Sequence, residues 1–211
     1  FSSQVKGGGV QSVASTEGLG AQLDEGETVE VDAAALAEAA GDPAAEPLAA
    51  ALVRGYLDQI FVHGEIHADP HPGNLRVTPQ RRLAIFDLGM VAHVPPRLRE
   101  RLLKVLFAAI DGRGEEVADE IIAISTRLED YNEERYLRET GQMVARYAAN
   151  SAMSEGRIVL EIVRIATFCG LRTPPELSVL GKALLNLENV CHHLAPNLDM
   201  RAIVERQLQS V

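Results

Sequence analysis

Apolar side chains recur at every third and fourth position over much of the chain, and that spacing predicts a mainly helical protein. Leu48, Leu52, Val53, Tyr56, Leu57, Ile60 and Phe61 share one face of a helix that starts near Pro47 and stops at Gly64. Glu65 and Ile66 then lead into His67-Ala68-Asp69-Pro70-His71-Pro72-Gly73-Asn74, where the period fails. Prolines at 70 and 72 remove backbone donors, so this stretch is expected to be a shaped loop, neither helix nor laddered strand. Leu75 to Val77 and Leu83 to Phe86 read as two short strands around the turn Thr78-Pro79-Gln80-Arg81. Everything after Asp87-Leu88-Gly89 reads as helical. Pro96 is a favourable first-turn residue for a helix carrying Leu98, Leu102, Leu103, Leu106 and Ile110 to a stop at Gly112. Further helices are expected from Glu115 to Ser125, Glu133 to Tyr147, Arg157 to Cys169 closed by Gly170, and Pro175 to Leu194, with a short one after Asp199. Leu177, Leu180, Leu184, Leu187 and Cys191 form a stripe that belongs to a core rather than to a cofactor box.

The start of the chain is of another kind. Residues 1–50 hold nine acidic side chains and one base, Lys6, giving −8; the formal charge of the whole is −10, so the other 161 of the 211 residues carry only −2. This quarter is rich in Gly and Ala and lacks sustained periodicity, so a loose beginning is expected, with one helix near Ala33 to Ala40. The chain opens on Phe1 rather than Met, which suggests a piece of something longer. The expected division is an irregular acidic segment over 1–44 and a helical domain over 45–211.

Composition narrows the classes. The acidic balance leaves no overall basic surface for phosphate backbones, which argues against nucleic acid as a partner. Two cysteines, Cys169 and Cys191, sit within helical apolar patterns and read as buried, reduced thiols of a cytoplasmic protein. The longest apolar runs, such as Val105 to Ile110, fall far short of the ~20 residues of a membrane span. Phe1-Ser2-Ser3-Gln4 has no signal-peptide character.

Chemistry concentrates between residues 67 and 89. A hairpin of two short strands would fold Asp87 back towards Asn74, so that Asp69, Asn74 and Asp87 converge. Two carboxylates and a carboxamide form a hard oxygen site of the kind that holds Mg²⁺ together with substrate phosphates. Asp69 precedes Asn74 by five positions, the spacing of a kinase catalytic loop in which the Asp accepts a proton and the Asn holds metal; Asp87-Leu88-Gly89 takes the place of Asp-Phe-Gly. Only eight positions separate Asp87 from Pro95, too few for a long peptide-docking activation segment, so a small or lipid-like acceptor, or water, suits the site better than a protein.

The eight residues from His67 to Asn74, followed by Asp87-Leu88-Gly89-Met90-Val91, closely resemble the AarF/UbiB family of atypical kinases, over roughly residues 45–205. The resemblance implies a protein-kinase-like C-terminal lobe, mainly α within an α+β class, with a small β-hairpin carrying the metal site and the N-terminal lobe largely missing. It implies ATP and Mg²⁺ as cofactors, Asp69 as the catalytic residue, and Asn74 and Asp87 as metal and nucleotide ligands. His71, two positions after Asp69, stands where many protein kinases carry a phosphate-contacting lysine, and is a candidate for the nucleotide. Members of the family support isoprenoid quinone biosynthesis, which implies a quinone-lipid precursor or quinone-biosynthesis proteins as partners, and a place in the cytoplasm or at a membrane face.

Several expected parts are missing from the sequence. A Gly-rich loop over the phosphates, a strand lysine and its glutamate partner cannot be placed, and Lys6-Gly7-Gly8-Gly9 lacks both the family's Lys-x-Gly-Gln pattern and a P-loop ending, so it reads as a linker. The chain by itself is therefore expected to be inactive, its parent a phosphotransferase or ATPase. The alternative is a non-catalytic pseudokinase lobe, and a more distant one is a zinc hydrolase using His67, Asp69 and His71. His67 more readily orients the loop by hydrogen bonds than does chemistry. Cys191-His192-His193 reads as a helix surface around one buried cysteine, because adjacent helical side chains point apart.

Overall fold

The computed structural model describes residues 45–77, 83–85, 89–150 and 154–208. The expected helix near Ala33, the turn Thr78 to Arg81, Phe86 and Asp87 lie outside the described residues. The described chain runs α1 (Ala45–Asp58), a π-helical turn (Gln59–His63), β1 (Glu65–His67), a 3₁₀ turn (Pro72–Asn74), β2 (Leu75–Val77), β3 (Leu83–Ile85) and β4 (Val91–His93). Then follow α2 (Pro96–Ile110), α3 (Gly114–Ile124), β5 (Thr126–Arg127), α4 (Glu133–Ala149), α5 (Glu155–Phe168), β6 (Leu171–Arg172), α6 (Pro175–Leu194) and α7 (Met200–Leu208). The chain divides into two compact units, one made of residues 1–59, 67–91 and 186–211, the other of 60–66 and 92–185.

In the first unit α1 buries Leu52, Val53, Tyr56 and Leu57 as their spacing leads one to expect, together with Ala49, while Leu48 is only half-buried. It packs against α7, where Ile203 and Val204 are buried, and Gln207 Nε2 donates to Asp58 Oδ1 at 3.0 Å. The end of α6 joins them through Leu187, Val190, Cys191 and Leu194, all buried. Strands β2 and β3 pair antiparallel with Leu75 opposite Ile85, Arg76 opposite Ala84 and Val77 opposite Leu83, the hairpin expected from the sequence.

In the second unit, helices α2 to α5 pack in succession, α3 lying against both α2 and α4, and α4 against α5. Asn132 Oδ1 caps α4 by accepting from Arg135 N at 2.9 Å, and Ser154 Oγ caps α5 by accepting from Arg157 N at 3.3 Å; that cap starts α5 at Glu155, two residues before its apolar stripe suggests. α2 buries Leu98, Leu102, Val105, Ala108 and Ala109, whereas Leu103, Leu106 and Ile110 are half-buried, because small residues let the neighbouring helix approach. The approach is closest between α3 and α4, where a Cβ on Gly114 would lie 2.6 Å from Gly141 Cα. Arg99 fixes the π-helical turn by donating through Nη1 to Val62 O at 2.8 Å. Gly64 ends that turn at φ +72°, its carbonyl accepting from Val94 N at 2.7 Å.

Two expectations need correcting. Chain that reads as loop or helix contains short strands: β1 ends on His67, β4 occupies Val91–His93, and β5 pairs with β6, Thr126 opposite Arg172. Segments of two or three residues are too short to show a period, and their pairing is set by the partner brought alongside. The loop itself starts one residue later than expected, at Ala68, and holds one 3₁₀ turn, since Pro72 can begin such a turn without a donor.

Candidate active site

The loop from Ala68 to Asn74 is shaped by its own backbone and lies wholly in the first unit. Asp69 O accepts from His71 N at 2.7 Å and from Asn74 Nδ2 at 3.1 Å, and His71 O accepts from Asn74 N at 2.8 Å. The carboxamide end that faces a carbonyl oxygen must be the NH₂, so Asn74 donates to the loop and Oδ1 is its acceptor end. Asp69 and Asn74, both half-buried, meet across the turn through this side-chain to backbone contact. Ala68 N donates to Met90 O at 2.8 Å, which clips the residue before Asp69 to the segment that follows Asp87-Leu88-Gly89. Asp87 itself lies outside the described residues.

Behind the loop, the sequence missed two supports. His67 is buried, its backbone N donates to Gln59 Oε1 at 2.8 Å, and the Tyr56 hydroxyl lies 3.1 Å from its Nδ1. Burial, with smaller contributions from the nearby Asp69 and Cys191, raises the Tyr56 phenol far above its ordinary range, so the O–H stays protonated, and the two side chains share a hydrogen bond whose direction follows the tautomer of His67. His67 therefore orients the loop, as expected of it. Gln59 could have been noticed as a carboxamide among apolar helical positions; Tyr56 reads as plain core. His71 is exposed, and its Nδ1 accepts from Gly73 N at 3.0 Å, which leaves Nε2 as the donor available to a ligand. A third residue reaches the loop from α6: Asn186 Nδ2 donates to Asp69 Oδ1 at 3.4 Å.

The zinc arrangement of His67, Asp69 and His71 does not form. The Nδ1 atoms of both histidines are taken up by Tyr56 and Gly73, and among the described residues no three His, Cys, Asp or Glu side chains gather where one ion could bind them. Cys191 is buried with its Sγ 3.8 Å from Ala49 O, while His192 and His193 are exposed, in line with a helix surface around one core thiol. Burial, with Glu188 nearby, pushes the Cys191 thiol up to about 12, which leaves it inert at neutral pH.

A helical fold with small two-stranded sheets and an Asp/Asn turn tied through Ala68 to Met90 fits the kinase-like class. The sequence model of the ABC1 atypical kinase-like domain matches residues 21–121, and that of the UbiB helical domain matches residues 143–199. The chain belongs to the AarF/UbiB family of atypical kinases. An uncharacterized protein of Synechocystis is 34% identical over 139 residues, 65% of this chain and 34% of its own length. One from Mycobacterium tuberculosis is 27% identical over 180 residues, 82% of this chain and 36% of its own. An Arabidopsis thaliana chloroplast protein named Activity of BC1 Complex Kinase 8 is 43% identical over 61 residues, 28% of this chain and 8% of its own. The chain spans about a third of the length of the first of these relatives. Among the described residues no helix is long and apolar enough to cross a membrane.

Proposed function

We propose that the chain carries the catalytic loop of an ATP- and Mg²⁺-dependent phosphotransferase or ATPase that serves isoprenoid quinone biosynthesis. The observation that carries this reading is the turn in which Asn74 Nδ2 donates to Asp69 O while Ala68 is held to Met90. That arrangement leaves the Asp69 carboxylate to accept a proton from the acceptor hydroxyl or to orient a water, and leaves Asn74 Oδ1 as a metal ligand. Asp87 would supply the second metal ligand, and His71 Nε2–H would donate to a phosphate oxygen. When bound, Mg²⁺ would neutralise charge on the nucleotide phosphates.

The acceptor is small or lipid-like: β4 and the start of α2 take up the chain directly after Gly89, which leaves no peptide-docking segment there. A small acceptor suits a protein of the cytoplasm, and a lipid-like one would bring it to a membrane face. The phosphate-covering loop and the lysine–glutamate pair would come from the rest of a longer protein, a reading supported by the length of the relatives. The test is nucleotide binding and turnover by the protein in its full natural length. Mg²⁺-dependent ATP binding should be lost in Asp87→Asn, and turnover should fall by about a hundredfold or more in Asp69→Asn. Binding that ignores both Mg²⁺ and Asp87→Asn would refute the reading, and Mg²⁺-dependent binding without turnover would make this a pseudokinase.

A further inference from the structure

We infer that Asn186, on α6, is a positioning residue for Asp69, an inference that rests on the catalytic reading of the loop. Its Nδ2 donates to Asp69 Oδ1 at 3.4 Å across 117 residues of sequence, a contact within the first unit. Asn186 is half-buried, on the face of α6 that also carries Lys182, Asn189 and His193, so a polar residue suits the helix there and the contact with Asp69 is what sets it apart.

The kind of donor matters as much as its position. A lysine or arginine in this place would form an ion pair with the carboxylate, whereas a neutral amide fixes the rotamer through one N–H and adds no charge. A carboxylate offers about four acceptor positions, so a single N–H to Oδ1 leaves room for the proton or water that the reaction needs. Asp69 is then held from two sides: its backbone by Asn74 and His71, its side chain by Asn186. A proton acceptor works only within hydrogen-bond reach of its hydroxyl, so freeing this rotamer should slow the chemical step and leave nucleotide binding almost untouched.

The experiment has two arms. In the protein of full natural length, Asn186→Leu should lower kcat for Mg²⁺-dependent ATP hydrolysis by about tenfold while KM changes less than about twofold, with Asn186→Ser in between. In an Asp69→Asn background Asn186→Leu should cost nothing further, because residues acting through one group are not additive. An unchanged kcat, a parallel change in KM, or additivity with Asp69→Asn would overturn the assignment. The second arm reads the contact without activity: in ¹H–¹⁵N spectra of the 211-residue chain, Asp69→Asn should shift the Asn186 side-chain amide pair and leave that of the exposed Asn189 in place. A silent Asn186 amide would refute the contact alone. Absence of hydrolysis in the unsubstituted protein would sink the catalytic reading, and with it the role given to Asn186, even if the amide shifts.

Discussion

The hydroxyl of Tyr56 shows how much of this site rests on single atoms outside it. It hydrogen-bonds to His67 Nδ1 from the buried face of α1, and His67 in turn is tied to Gln59. Tyr56→Phe keeps the ring and deletes only the hydroxyl, so it should lower the stability of the chain by about 1 kcal/mol, read as a lower urea midpoint with an unchanged slope. A loss several times larger would mean that the ring had repacked. The acid, the amide and the two histidines of the loop could be read from the sequence because proline and glycine fix their spacing. Tyr56 and Asn186 could not, since each reaches the loop from a distant element, Tyr56 looking like part of an apolar stripe and Asn186 like one of the polar positions of α6.

At the scale of elements, the glycines decide how closely helices approach. Gly114 meets Gly141 with no room for a Cβ, so Gly114→Ala should destabilise by about 1–3 kcal/mol. The Cβ of Gly141 would meet nothing within 4 Å, so Gly141→Ala in the middle of α4 should stabilise by about 0.5–1 kcal/mol. Denaturant unfolding of the two variants should therefore give shifts of opposite sign, and equal signs would contradict the packing. Gly170 has φ +76° and a Cβ there would lie 2.7 Å from Tyr131 N, so Gly170→Ala should lower the midpoint by more than Asn132→Ala, whose lost cap is worth about 1 kcal/mol. The stop at Gly170 was legible because glycine is the residue that ends helices in this conformation. The strands β5 and β6 beside it were not, because two-residue ladders carry no pattern of their own.

Across the molecule, buried acids that stay protonated set the response to alkali. The Cys191 thiol is pushed up from 9.0 to about 12 by burial, and burial likewise raises the Tyr56 and Tyr136 phenols. A raised folded-state value means that the folded chain holds its proton more tightly than the unfolded one. That contribution to stability is fully present below the unfolded value and is lost as pH climbs towards the folded value. The urea midpoint should therefore fall as pH rises above about 9, and in native protein neither buried thiol should react with an alkylating reagent at neutral pH. A midpoint flat through that range would show that these groups are solvated.

Period, proline and glycine in the sequence were enough to place the helices of the described chain, the β2–β3 hairpin and the loop between Ala68 and Asn74, because each of these depends on neighbours a few positions apart. Which face of α2 turns inward, where β1, β4, β5 and β6 form, and which distant side chains hold His67 and Asp69 came from packing alone. Those choices depend on which surfaces meet in space, and residues 56 and 186 carry no local mark of the partners they find.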